Sequence, residues 1–171
     1  MEDAGLLQGQ HLELIEGDLI NKMGRGLPHM ISKGLMMNRL KNVFGDLLVL
    51  FGASIDVAPE DNPTNHPEPD LIVLNREYTT LSALPIPEDL RLLVEISDAT
   101  LRFDLTIKAA LYARAGIAEY WVLDVNGRRL IVHRDPRDGG YSSIVEYGAG
   151  EEVAPLAAPD STVRVGDAFA G

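Results

Sequence analysis

The run Leu90-Arg91-Leu92-Leu93-Val94-Glu95-Ile96 constrains the fold most, because its apolar residues do not alternate with polar ones. A strand with one wet face alternates. Leu92-Leu93-Val94 instead demands cover on both faces, so the sheet that holds it is packed on both sides. Ser97, Asp98 or Thr100 can then cap a helix from about Leu101 to Ala115, closed by Gly116. Ile117–Asp124 reads as a further strand. Asn126-Gly127 is a strong hairpin turn into Arg129–Arg134, and Asp138-Gly139-Gly140 turns the chain into Tyr141–Tyr147. A short segment at Val153 is expected to end the sheet, and Asp160–Phe169 to form a finishing strand or turn.

Upstream, His11 to Met23 holds two short apolar runs about Glu16-Gly17-Asp18, the pattern of a β-hairpin. Gly24, Gly26 and Pro28 break the chain. A helix is expected from about His29 to Phe44, where Ile31, Leu35, Met36, Leu40, Val43 and Phe44 follow helical spacing and Gly45 can close the end. Leu47–Phe51 and Ser54–Val57 read as strands. Residues 59–69 hold four of the ten prolines and read as an irregular loop, followed by a short strand at Asp70–Leu74. The sum is an α+β fold with one mixed central β-sheet flanked by helices and an N-terminal β-hairpin.

At 171 residues the chain fits one domain, 1–171, with a sizeable core. It has no cysteine, which excludes disulfides and thiolate metal sites and suits a reducing cytoplasm. The start, Met1-Glu2-Asp3-Ala4-Gly5, lacks the layout of a signal peptide, and no apolar run approaches the ~20 residues of a membrane span. The formal charge of −11, from 15 basic against 26 acidic residues, disfavours tight nonspecific binding of DNA. A local basic cleft fed by Lys33, Arg39, Lys41 and Arg102 would offset that balance.

Two carboxylates stand out. Asp70 begins one expected strand and Glu95 lies near the end of the next, where polar groups reach ligands. If the strands pair, the two acids approach each other and call for a cation or proton between them. Oxygen-only ligands favour Mg²⁺ or Mn²⁺, with the carbonyl of Ile96 as a further ligand. On the following helix Asp104, Lys108 and Tyr112 fall at i, i+4 and i+8, along one face. That face can lay the Lys108 ammonium over the strand ends. The competing explanation is an exposed Asp104–Lys108 ion pair; the apolar Leu101, Leu105 and Ala109 beside it argue for burial. Tyr112 reads as core packing with a bonded hydroxyl, and Trp121 as core opposite Tyr120. His29 can contact phosphate or complete a metal's outer shell. Glu16 is a third acid near the site or an ordinary hairpin residue. His66 and Glu68 read as solvated loop residues.

Pro69-Asp70, Val94-Glu95-Ile96, the block Asp104-Leu-Thr-Ile-Lys108-Ala-Ala-Leu-Tyr112 and Gly116-Ile-Ala-Glu-Tyr-Trp121-Val-Leu-Asp124 together resemble the Uma-two family of restriction-endonuclease-like proteins, within the PD-(D/E)XK nuclease superfamily. Leu14–Ile20 resembles that family's opening hairpin, and His29 falls where its first helix has a histidine. The likeness spans about residues 11–168. It implies a restriction-endonuclease-like core, Asp70 and Glu95 as metal ligands, and Lys108 as the migrated counterpart of the usual strand lysine. It also implies Mg²⁺- or Mn²⁺-dependent hydrolysis of DNA phosphodiesters, with a homodimer expected. Glu68, before Pro69, departs from the family's basic or neutral residue. The alternative is a catalytically silent member that keeps the fold as a binding module, a choice the acidic charge favours.

Overall fold

The computed structural model describes residues 12–21 and 26–171. His11, Lys22 and Met23 of the expected hairpin lie outside these residues. Strand β1 (Leu12–Ile15) pairs antiparallel with β2 (Asp18–Asn21). The turn between them takes φ of 51° at Glu16 and 83° at Gly17, the left-handed pair that matches the twist of hairpin strands.

Six further strands form one sheet, in the order β3 (Val49–Phe51), β4 (Leu71–Leu74), β5 (Leu90–Ser97), β6 (Glu119–Asp124), β7 (Arg129–Arg137) and β8 (Gly140–Gly148). Neighbours are antiparallel except β5 and β6. Those two run parallel because a helical crossover, α2 (residues 101–114), joins them and returns the chain to the same end of the sheet. The sheet is therefore mixed. Helix α1 (Leu27–Phe44) covers one face, and Met36 and Leu40 pack there with Leu92, Val94, Ile96 and Trp121. Helix α2 covers the other, where Ala109, Leu111 and Tyr112 meet Leu93, Tyr120 and Val122. Strand β5 is buried along both faces, as its unalternating sequence requires.

Helix α2 is made of three continuous pieces: Leu101–Phe103, a π-helical turn at Asp104–Lys108, and Ala109–Arg114. The wider turn adds a residue to the coil, a distortion common at functional positions. Gly116 closes the helix at φ 78°.

Several expectations need correction. Ser54–Val57 is not a strand: Ile55 and Val57 are buried and alternate, but the N–H of Ile55 donates to the carbonyl of Pro67 (3.1 Å) and that of Asp56 to Pro85 (2.9 Å), so the segment threads between loops. Leu47 and Leu48 belong to a short 3₁₀ turn before β3. Helix α1 starts two residues early, with Pro28 in its first turn, where the missing N–H costs nothing. The Val153 segment does not extend the main sheet but pairs as β9 (Glu152–Val153) with β10 (Val163–Arg164). The hairpin turn expected at Asn126-Gly127 does join β6 to β7, with a positive φ, 51°, on Arg128. Gly127 is needed because a Cβ there would lie 2.3 Å from Asp124 Oδ2, which accepts from Arg129 Nε (2.7 Å). Among the described residues, no helix is long and apolar enough to cross a membrane.

Candidate nuclease centre

Strands β4 and β5 place the two acids side by side. Leu71 pairs with Val94, so Asp70, one step before β4, lies beside the Glu95–Ile96 peptide. The contacts are reciprocal: the Asp70 N–H donates to Glu95 Oε1 (3.1 Å), and the Ile96 N–H donates to Asp70 Oδ2 (2.8 Å). Both acids are buried. The strand register thus sets each carboxylate on a backbone N–H of the opposite strand, the Ile96 N–H rather than its carbonyl making the contact with Asp70.

Alternation along β5 sends Glu95 to the α2 side of the sheet. There Lys108 Nζ bonds Glu95 Oε2, lies 2.8 Å from Glu13 Oε1, and stands 3.9 Å from Asp104 Oδ1. The exposed ion pair weighed as an alternative is thereby excluded, since Lys108 and Asp104 are 1% and 3% exposed. The Tyr112 hydroxyl donates to Glu95 Oε2 at 3.4 Å, within the core packing expected of it. Thr100 sits at the helix start, but its hydroxyl donates to Asp104 Oδ2 (2.8 Å), as does that of Ser97, rather than capping the backbone. These two bonds stitch the end of β5 to the π turn of α2.

Burial acts against the Lys108 charge and would lower its pKa, but Glu95, Glu13 and Asp104 outweigh it and raise the net value. Lys108 is therefore a fixed cation at neutral pH, not a proton acceptor. Asp104 behaves oppositely. Burial first, then the charge of Glu95, push its pKa from 3.8 up to about 6, against the lowering effects of Lys108, Ser97 and Thr100.

On the α1 side, His29 Nε2 is 3.8 Å and Lys33 Nζ 4.0 Å from the Asp70 carboxylate. His29 and Lys33 are one helical turn apart on α1. His29 is buried rather than exposed. Of the expected basic cleft, Lys33 alone has a contact with these acids. Arg39 turns to Asp167 (3.8 Å), Lys41 lies in the last turn of α1, and Arg102 is exposed on α2.

Of the hairpin's acids it is Glu13, not Glu16, that reaches the cluster. Glu16 does not join the cluster: it is exposed at the turn and pairs with Arg114 (2.8 Å). Glu13, one strand turn earlier, is 2% exposed and reaches both Lys108 and the N–H of Glu68 (2.9 Å). The signal was present in the sequence, since Leu12-Glu13-Leu14 sets a lone acid among apolar neighbours just as Val94-Glu95-Ile96 does. Glu68 is half-buried and packs back onto the hairpin through that bond, whereas the His66 side chain is exposed as expected.

The donor chemistry fits a hard divalent cation. Glu13, Asp70, Glu95 and Asp104 are each at most 4% exposed, and Lys108 is the only ammonium buried with them among the described residues. Among the described residues, no three His, Cys, Asp or Glu side chains are arranged to hold a metal by themselves. Asp70 and Glu95 with waters would match the one or two carboxylates that Mg²⁺ commonly takes.

This is a nuclease-like fold. The crystal structure of a protein described as a putative nuclease belonging to DUF820, from Anabaena variabilis ATCC 29413, superposes with a TM-score of 0.69 at 17% identity, covering 92% of this chain and 89% of that one. The family model described as "Putative restriction endonuclease", Uma2, matches residues 2–166, and the chain belongs to that family. No curated protein matches it.

Proposed function

We propose that this protein is a divalent-metal-dependent endonuclease that hydrolyses DNA phosphodiesters, with Asp70, Glu95 and the Ile96 carbonyl holding Mg²⁺ or Mn²⁺. The observation that carries this reading is the reciprocal bonding of Asp70 and Glu95 across β4 and β5, with Lys108 set against Glu95. Bound there, the metal would polarise the phosphodiester and lower the pKa of a coordinated water. The chain's own residues supply the rest. Lys108, held charged by its acid neighbours, offers fixed positive charge for the anion that grows in the transition state. Glu13 fixes the amine from its other side, and Asp104 with Ser97 and Thr100 fixes the helix turn that carries it. Lys33 and His29 flank Asp70 where a phosphate would enter. We assign the whole chain to one cytoplasmic domain, and expect a two-fold homodimer where both strands of a duplex are cut.

Purified protein should nick supercoiled plasmid with Mg²⁺ or Mn²⁺. Asp70→Asn should lose the calorimetric heat of Mn²⁺ binding together with nicking, and Lys108→Met should lose nicking while still binding Mn²⁺. Equal nicking by Lys108→Met and wild type would refute the lysine's role. Absence of both metal binding and nicking in the wild type would leave the binding-module alternative.

A further inference from the structure

Phe51 closes the edge strand β3 and is 56% exposed, an uncommon place for a phenylalanine. A single exposed apolar side chain means little alone, but this one is tied to the carboxylate site in three ways. Its register partner is Leu71, the neighbour of Asp70. Gly52, at φ 63°, turns the chain directly after it, and the Gly52 N–H donates to the Asp70 carbonyl (3.4 Å). Lys33 Nζ stands 5.7 Å from the ring centroid and 4.0 Å from Asp70 Oδ1. Ring and carboxylate therefore share one ammonium as a neighbour, within the span of a nucleotide's base and phosphate.

We infer that Phe51 and Lys33 form a nucleotide subsite at the mouth of the centre, with the ring stacking on an unpaired base and the ammonium holding the adjoining phosphate. This rests on the nuclease reading above and narrows its substrate to single-stranded or locally unpaired DNA. A stacking ring needs an open base face, and inside a duplex both faces of a base are covered by its neighbours. Lys33 suits the task because it serves the ring by cation–π attraction and the phosphate by charge. The half-buried stem of Lys33 on α1 and the backbone tie at Gly52 hold the two groups in place before any strand arrives.

The test compares binding of a fluorescent single-stranded oligonucleotide with that of its duplex, by anisotropy at low salt with Ca²⁺ as a non-catalytic metal. Wild type, Phe51→Leu and Phe51→Trp are measured as full chains with matched circular dichroism and melting. Wild type should prefer the single strand. Phe51→Leu should weaken single-strand binding roughly tenfold, the scale of one lost base stack, and Phe51→Trp should restore it. If wild type binds or cuts DNA but Phe51→Leu keeps the same ratio of single-strand to duplex affinity, the subsite is wrong and the nuclease reading stands. If wild type neither binds nor cuts DNA of either form, both fall together.

Discussion

Lys108 shows why a buried ion pair is read by what its loss would leave behind. Its amine serves Glu95 and Glu13 at once, so Lys108→Met keeps the volume but strands two carboxylates in a dry interior. Breaking such a cluster costs about 3–5 kcal/mol, which for a chain of this size lowers the melting temperature by about 10 °C. Thermal melts should show that drop, and Mn²⁺ should recover more of it in the variant than it adds to wild type. Asp104 gives the opposite sign. Its folded pKa of about 6 exceeds the unfolded 3.8, so the folded state holds its proton between those values and stability falls as pH rises across that window. Asp104→Asn carries no proton to lose. Urea midpoints from pH 4 to 7 should fall for wild type by the equivalent of about 1–3 kcal/mol relative to the variant. Identical pH slopes would show that Asp104 does not titrate in this range. At this scale the sequence singled out Asp70, Glu95 and Lys108 but passed over Glu13: the lone acid between Leu12 and Leu14 was visible, but a short hairpin strand does not say which helix it folds against.

Elements were legible where local pattern and tertiary demand agree. β5, β6 and α2 carry long apolar signals, and their order alone brings Glu95 to Lys108. The errors arose where alternation had no partner strand, as at Ile55 and Val57. At Asn126-Gly127 the hairpin turn forms as expected, and the glycine also leaves the space that Asp124 fills. Asp124 Oδ1 also accepts from the Gly127 N–H at 2.9 Å, so the carboxylate cannot move away without losing a bond. Gly127→Ala should therefore destabilise the β6–β7 hairpin by about 1–3 kcal/mol, readable as a lowered urea midpoint. A neutral result would mean that Asp124 can rotate freely. The π turn of α2 had no sequence signature, since a helical repeat reads the same with or without one extra residue in the coil.

For the whole molecule the decisive property is charge. Six of the ten arginines among the described residues are engaged by acids: Arg39 with Asp167, Arg76 with Asp89, Arg114 with Glu16 and Asp61, Arg129 with Asp124 and Glu146, Arg134 with Glu119, and Arg137 with Asp135. Among the described residues Lys33 is the lysine whose ammonium stands beside Asp70. On the proposed nuclease reading, binding depends on added metal and on stacking rather than on a basic surface. Counterion release makes that distinction measurable. Each phosphate neutralised on a single strand adds about −0.7 to the slope of log K against log salt, so one to three contacts predict a slope of roughly −1 to −2. A basic DNA-binding groove would give a far steeper line. Anisotropy titrations from 20 to ~200 mM NaCl at constant Ca²⁺ decide between them. A slope beyond about −5 would require a broad cationic surface, and would move the DNA path away from the mouth beside Phe51.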